Sequence, residues 1–233
     1  IFEFIKMNIG VHFKDMFIIE LGEEELKIFD DEKNSNFVIE YLKSDPRPYN
    51  INLIRNNNRI GLYLKDYLQK HFKEVLSINH NSRCPKTLRE KIYNEIKVNH
   101  KYDILLNIGH TKDLGKNEII DKNIIYESFR SIHNIVKKGG LIFNILPCDS
   151  RKNIGKSCSI YYSLEFFDGL ARLCGYRIFY NNIIPRNSDS NNVNYHVHSH
   201  YVKCNNNDFI PEKMFMKLKK HLKINDDNLK KYF

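Results

Sequence analysis

Apolar runs and helically spaced stripes take turns along this chain. DMFIIELG (15–22) is an apolar run ending in an acid and a glycine, and it predicts a buried strand. The polar stretch 23–58 carries the loop signals SDPRPYN and RNNNR and predicts a helix around 33–43. RIGLYLKDYLQKHFK (59–73) has helical spacing, with Leu64, Tyr67, Leu68 and Phe72 on one side. EVLSI (74–78) predicts a second strand, 82–97 a helix with a proline start, and KYDILLNIG (101–109) a third strand. In DKNIIYESFRSIHNIVKKGG the residues Ile125, Phe129, Ile132 and Val136 recur at i, i+4, i+7 and i+11. Asp121 is its candidate cap. Lys137 and Lys138 would complement the helix dipole, and Gly139 would be the left-handed stop.

LIFNILP follows as a fourth strand. SLEFFDGLARLCG (163–175) repeats the helix design, with Ser163 as cap, Phe166, Phe167, Leu170 and Leu173 as stripe, and Gly175 as stop. YRIFYNNII (176–184) and the alternating VNYHVHSHYVKC (193–204) predict two last strands, with no helix between them, which is the pattern of an antiparallel hairpin. PEKMFMKLKKHLK (211–223) predicts a closing basic amphipathic helix docked through Met214, Leu218 and Leu222. Strands alternating with helices predict an α/β fold with a mostly parallel sheet, closed by the hairpin. Residues 1–205 form one expected domain and 206–233 a basic helix and tail.

Composition narrows the picture. With 233 residues and 42% apolar content, the chain can bury a real core. No run is long enough to span a membrane as a helix, and the short apolar start IFEFIKMNIG lacks the features of a signal peptide. The five cysteines, Cys84, Cys148, Cys158, Cys174 and Cys204, are scattered without a C-x-x-C pair, which fits a reducing, intracellular and cytoplasmic setting. Net charge is +9, which opens a nucleic-acid or protein partner through a basic surface. Lys, Asn and Ile are abundant together, as AT-rich coding would also produce, and the charge is dispersed.

YDILLNIGHTKDLG, then IIYESFRSIHNIVKKGGLIFNILP, then YYSLEFFDGLARLCGYRIF together resemble class I S-adenosylmethionine-dependent methyltransferases. The match runs over residues 101–180 and more loosely over 15–80. The resemblance implies a Rossmann-like, mostly parallel sheet with helices on both faces and a reversed last strand inserted beside the fifth. It also implies S-adenosylmethionine held at the carboxyl ends of the first, second and fourth strands, where open α/β sheets bind ligands. Glu20 would take the acidic position and Gly22 the close-approach glycine. Asn79 stands where the family has a ribose-binding acid, and Asn107, Ile108 and Gly109 lie beside the site. Glu24 replaces the family's second glycine. Methyl transfer from a sulfonium depends mainly on alignment and on substrate deprotonation. His110 and Asp113, just past the fourth strand, are the candidate catalytic pair, with His110 the base.

The implied activity is methyl transfer to an unknown substrate. Base-amino methylation is disfavoured, because NIGHT stands where those enzymes carry Asn/Asp-Pro-Pro-aromatic. The competing expectation is a catalytically inactive domain serving as a structural or partner-binding subunit, for which Glu24 and Asn79 are the signs. A third is an RNA-binding module without chemistry. His196, His198 and His200 share a face of their strand, but with no acidic partner evident they read as packing residues and no metal is expected. His133 reads as a packing histidine of its helix.

Overall fold

The computed structural model describes residues 17–22, 27–31, 54–56, 59–63, 74–79, 101–109, 124–148, 158, 160–186 and 194–224. The chain divides into two compact units, one of residues 1–16 and 24–75, the other of residues 17–23 and 76–233. The first unit holds a small antiparallel sheet in the order β2-β4-β3, from Lys27–Asp31, Arg59–Tyr63 and Ile54–Asn56. Arg59–Tyr63 opens the segment whose spacing predicted a helix. All five of its residues pair with Lys27–Asp31 and the first three with Ile54–Asn56, while the rest of that segment, with Leu64, Tyr67, Leu68 and Phe72, lies outside the described residues. The helices expected at 33–43 and 82–97 lie outside the described residues, as does Asp121.

The second unit is built on a six-stranded sheet in the order β5-β1-β6-β7-β10-β9. Its strands are β1 (Phe17–Gly22), β5 (Glu74–Asn79), β6 (Tyr102–Ile108), β7 (Val136–Pro147), β9 (Tyr176–Arg186) and β10 (Asn194–Lys203). The pairs β1/β6 and β6/β7 are parallel, whereas β10 is antiparallel to both β7 and β9. Two further short strands, β8 (Ile160–Tyr162) and β11 (Leu222–Ile224), pair antiparallel. Among the described residues two registered pairs are therefore parallel and five antiparallel. This overturns the expectation of a mostly parallel, Rossmann-like sheet. The sheet is mixed, because the long β10 wedges between β7 and β9 and turns that half of it antiparallel.

Among the described residues, two helices pack against this sheet, both on the same face. The described helices α1 (Ile124–Ile135) and α2 (Leu164–Cys174) share one core cluster with Leu105, Ile142, Leu146, Val197 and Tyr201. These sheet residues stand in register across β6, β7 and β10, so they line one face. Phe129 of α1 sits at the centre of this core. Its ring lies 5.4 Å from Phe166, 6.1 Å from Tyr162, 6.4 Å from Phe167 and 5.9 Å from Phe215. Ile104, Leu106, Phe143 and Ile145 on the opposite face are buried too.

α2 follows its sequence closely. Ser163 Oγ accepts the Phe166 amide at 3.2 Å, and Gly175 stops the helix at φ 66°, its N–H bonded to Ala171 O. Ala171 and Cys174 complete the buried stripe, and Leu173 is only half-buried.

The closing segment does not form the expected long helix. One α-turn, α3 (Glu212–Phe215), passes into a 3-10 helix, Met216–His221, and then into β11. Pairing of Leu222–Ile224 with β8 draws the chain out of helical geometry. Phe215 and Leu218 dock on the core, while Met214 is 38% exposed. Among the described residues no helix is long and apolar enough to cross a membrane. Cys148, Cys158, Cys174 and Cys204 are free thiols.

Candidate functional site

The edge formed by β1 and β6 gathers most of the predicted cofactor residues. Parallel pairing puts Glu20 opposite Leu106 and Leu21 opposite Asn107. Glu20 and Gly22 thus lie at the same carboxyl edge as Asn107, Ile108 and Gly109. Asn79 is the last residue of β5, the strand next to β1. Gly109 adopts φ 76°, a conformation that costs a residue with Cβ roughly 1 kcal/mol or more. Its N–H donates to Ile145 O at 3.1 Å, which ties the turn after β6 to β7. His110 and Asp113 lie outside the described residues.

Asn107 does not stand alone. In register across the sheet, Asn107, Asn144 and Ser199 form a polar row on the helix-covered face. All three are at most 1% exposed. Asn107 Nδ2 donates to Asn144 Oδ1 at 2.9 Å, and Asn144 Nδ2 donates to Ser199 O at 3.3 Å. This chain fixes the Asn107 amide so that Oδ1 is left over. That oxygen has no hydrogen-bond partner among the described residues. A buried acceptor without a donor costs about 1–3 kcal/mol, which a ligand donor would recover. Next along the edge, Ile108 stands opposite Ile145, so the β6/β7 end is apolar.

A second polar cluster lies at the C-terminal end of α1. Lys203, only 2% exposed, donates from Nζ to His133 O at 2.6 Å and to Val136 O at 3.0 Å. These carbonyls end the helix, so a buried lysine from β10 serves as its cap. Burial, and then Lys101, push the Lys203 pKa down to about 8. His133 Nε2 lies 2.7 Å from Asn207 O. A carbonyl can only accept, so Nε2 carries the proton, and Nδ1 accepts from Tyr176 Oη at 2.6 Å. Burial lowers the His133 pKa, against the carbonyl bond that favours the charged form. Burial pushes the Cys174 thiol up to about 11. A thiol held protonated is a poor nucleophile, so the cluster ties α1, β9, β10 and the 204–210 segment together without chemistry of its own.

The expected role of Lys137, Lys138 and Gly139 at this helix end is corrected accordingly. α1 stops at Ile135, and Val136–Gly140 already belongs to β7. Tyr102 pairs with Val136 and Ile104 with Leu141, so Asp103 alone opposes the four residues 137–140. Within this wide bulge Lys137 pairs with the buried Asp103, and Gly139 supplies φ 82°. Gly140 is needed for a different reason. A Cβ there would come within 2.6 Å of Val136 Cγ1 and 2.9 Å of Asp103 O.

The histidine face is a packed one. His200 is 4.8 Å from Phe143 and 5.1 Å from Tyr180, ring to ring, and 6.0 Å from His198. Burial, foremost, lowers His198 to about 4 and His200 to about 3. Both are neutral near pH 7. Among the described residues no three His, Cys, Asp or Glu side chains converge on a metal-sized centre.

Asn144, Lys203 and Tyr176 escaped the sequence reading. Strand parity could have found the first two. Ile142, Asn144 and Leu146 face the same way, as do Val197, Ser199, Tyr201 and Lys203. Each polar member of these series is thereby directed into the core.

No family model and no curated protein matches the chain. Among solved structures, an S-adenosylmethionine-dependent methyltransferase from Clostridium acetobutylicum is 15% identical, with 82% of this chain and 80% of that one covered at a TM-score of 0.25. A Streptococcus thermophilus protein provisionally assigned as a hemolysin is 12% identical, with 94% of this chain and 71% of that one covered at a TM-score of 0.34. Scores this low carry no argument about fold or chemistry.

Proposed function

We propose that the chain is an S-adenosylmethionine-dependent methyltransferase. One observation carries the reading. Parallel pairing of β1 with β6 brings the segments bearing Glu20 and Gly22 to the same edge as Asn107–Gly109, where Asn107 Oδ1 is an acceptor without a partner among the described residues, in a buried row. The residue types suit the cofactor. A carboxylate at Glu20 can balance its ammonium, Gly22 allows close backbone approach, Asn79 can bond one ribose hydroxyl, and Asn107 Oδ1 can accept from an N–H or O–H. The sulfonium supplies an activated methyl group. What this chain's residues would do is bind, align and exclude water. His110 is the proposed base and Asp113 its proposed companion. The substrate stays at the level of a small molecule, a sugar or an RNA hydroxyl.

Calorimetry of the purified chain with S-adenosylmethionine tests this reading. Binding is expected, lost in Gly22→Val and tightened about tenfold in Asn79→Asp, which restores a charge-assisted pair. Neither heat nor a thermal shift at millimolar cofactor would sink it. That outcome would favour the second reading, an inactive domain used as a structural or partner-binding subunit, for which the apolar Ile108–Ile145 pair speaks.

A further inference from the structure

We propose that the closing segment, Pro211–Ile224, presents a row of lysines that binds the phosphate backbone of single-stranded nucleic acid, independently of sequence. The segment holds Lys213, Lys217, Lys219, Lys220 and Lys223 against one carboxylate, Glu212. The fold sorts these residues. Phe215 and Leu218 dock inward at 2% and 6% exposure, whereas Lys213, Lys217, Lys220 and Lys223 are exposed.

The 3-10 winding of Met216–His221 sharpens the sorting. With three residues per turn, Lys217 and Lys220 eclipse, and Met214, 38% exposed, heads the same row. Lys217 and Lys220 are about 6 Å apart along the axis, the order of the step between successive phosphates of an extended strand. Lys213, Lys217 and Lys220 make no ion pair among the described residues. The Glu165 carboxyl is held below its ordinary pKa by the Ser163 hydroxyl first, and last by the charge of His221.

A compact anion needs converging donors, usually with a buried polar group among them. This row is drawn out along one line, which matches a chain of charges. It offers no side chain shaped to read base edges, so the contact is electrostatic and sequence-blind. The inference is independent of methyl transfer.

The test is fluorescence anisotropy of the full chain with a labelled oligouridine, titrated across salt concentrations. Contacts from Lys213, Lys217 and Lys220 predict a slope of log Kobs against log[salt] of about −2. Lys217→Gln with Lys220→Gln should bring the slope to about −0.7 and weaken binding roughly tenfold or more at low salt. Lys217→Arg with Lys220→Arg should keep the slope. Lys138→Gln, an exposed lysine on β7, should change nothing. The thermal midpoint of each variant checks that it is folded. No binding at low salt, an unchanged slope in the double Gln variant, or an equal loss in Lys138→Gln would each overturn the proposal. So would lysine-dependent capture by anionic phosphatidylglycerol vesicles that the RNA fails to compete.

Discussion

The chain contains two helix-to-strand junctions that look alike in sequence and are held differently. At α2/β9 the stop is local: Gly175 turns left-handed and its N–H bonds back to Ala171 O, four residues upstream. At α1/β7 a glycine pair also follows the helix, yet the last carbonyls are taken by Lys203 Nζ, a buried cation 67 to 70 residues away in sequence. The glycines there serve a strand bulge instead. The first junction is set by its own residues, whereas the second is set by a strand made later in the chain. It follows that the first should tolerate damage elsewhere in the sheet and the second should not.

The hardest blow to that contrast is Lys203→Met. It keeps most of the side chain's bulk but leaves two buried carbonyls without a donor. A loss of about 2–3 kcal/mol is expected in urea unfolding, with faster amide exchange confined to the last turn of α1. Equal acceleration in α2 would refute the distinction. A pH titration adds a second readout. The folded pKa of Lys203, about 8, lies below the unfolded value near 10.5. Between these the unfolded chain holds more protons, so this group makes stability rise with pH from 8 upward. Above about pH 9, Cys174 acts in the opposite sense, because its thiol is raised to about 11. The clean window is therefore pH 8 to 9, and there Lys203→Met should remove the rise.

Next in size is Gly140→Ala. The added Cβ would meet Val136 Cγ1 at 2.6 Å and the Asp103 carbonyl at 2.9 Å, and backbone cannot give way as a side-chain tip can. The expected loss is about 2 kcal/mol. A neutral result would mean that the bulge is far softer than its contacts imply.

These two variants also mark where the sequence was legible. Ser163, the Phe166–Phe167–Leu170 stripe and Gly175 are all short-range signals, and α2 is the element they describe. β1, β5, β6 and the β9/β10 hairpin were readable from apolar runs and alternation. The end of α1 was not, because Lys137, Lys138 and Gly139 form a credible local cap until Lys203 supplies a better one. The mixed character of the sheet was hidden for a related reason. The residues of β9 and β10 announce a hairpin, and the resemblance implied a reversed strand beside its neighbour, but neither shows how far antiparallel pairing with both β7 and β9 makes the sheet mixed. At the candidate site, Glu20, Gly22 and Asn107–Gly109 were found from their places at strand ends. The amide row behind Asn107 went unseen, since it exists only when β6, β7 and β10 come into register.

Gly175→Ala is the counterpart of Lys203→Met at the local junction. Its φ of 66° disfavours any Cβ, and the nearest atom, Asn205 Nδ2 at 2.8 Å, is the movable end of a side chain. The cost should be about 1 kcal/mol, mostly backbone strain, and Gly175→Asn should recover part of it. A loss much above 2 kcal/mol would show that this junction, too, depends on distant packing.

The smallest effect separates the two helix ends most finely. Arg172 lies in the last turn of α2 and is exposed, so its charge faces the negative end of that dipole. Lys138 was expected to do the same for α1, but it lies in β7, beyond a helix end already occupied by Lys203. Arg172→Gln should therefore cost about 0.5 kcal/mol at low salt and less as salt screens the field. Lys138→Gln should cost less than about 0.2 kcal/mol at any salt, the ordinary range for an exposed strand position. The two single variants, unfolded side by side in urea at low and high salt, give the answer. If Lys138→Gln showed the larger, salt-sensitive loss, the helix would in fact be stabilised by its own lysines, and the role assigned to Lys203 would have to be reduced.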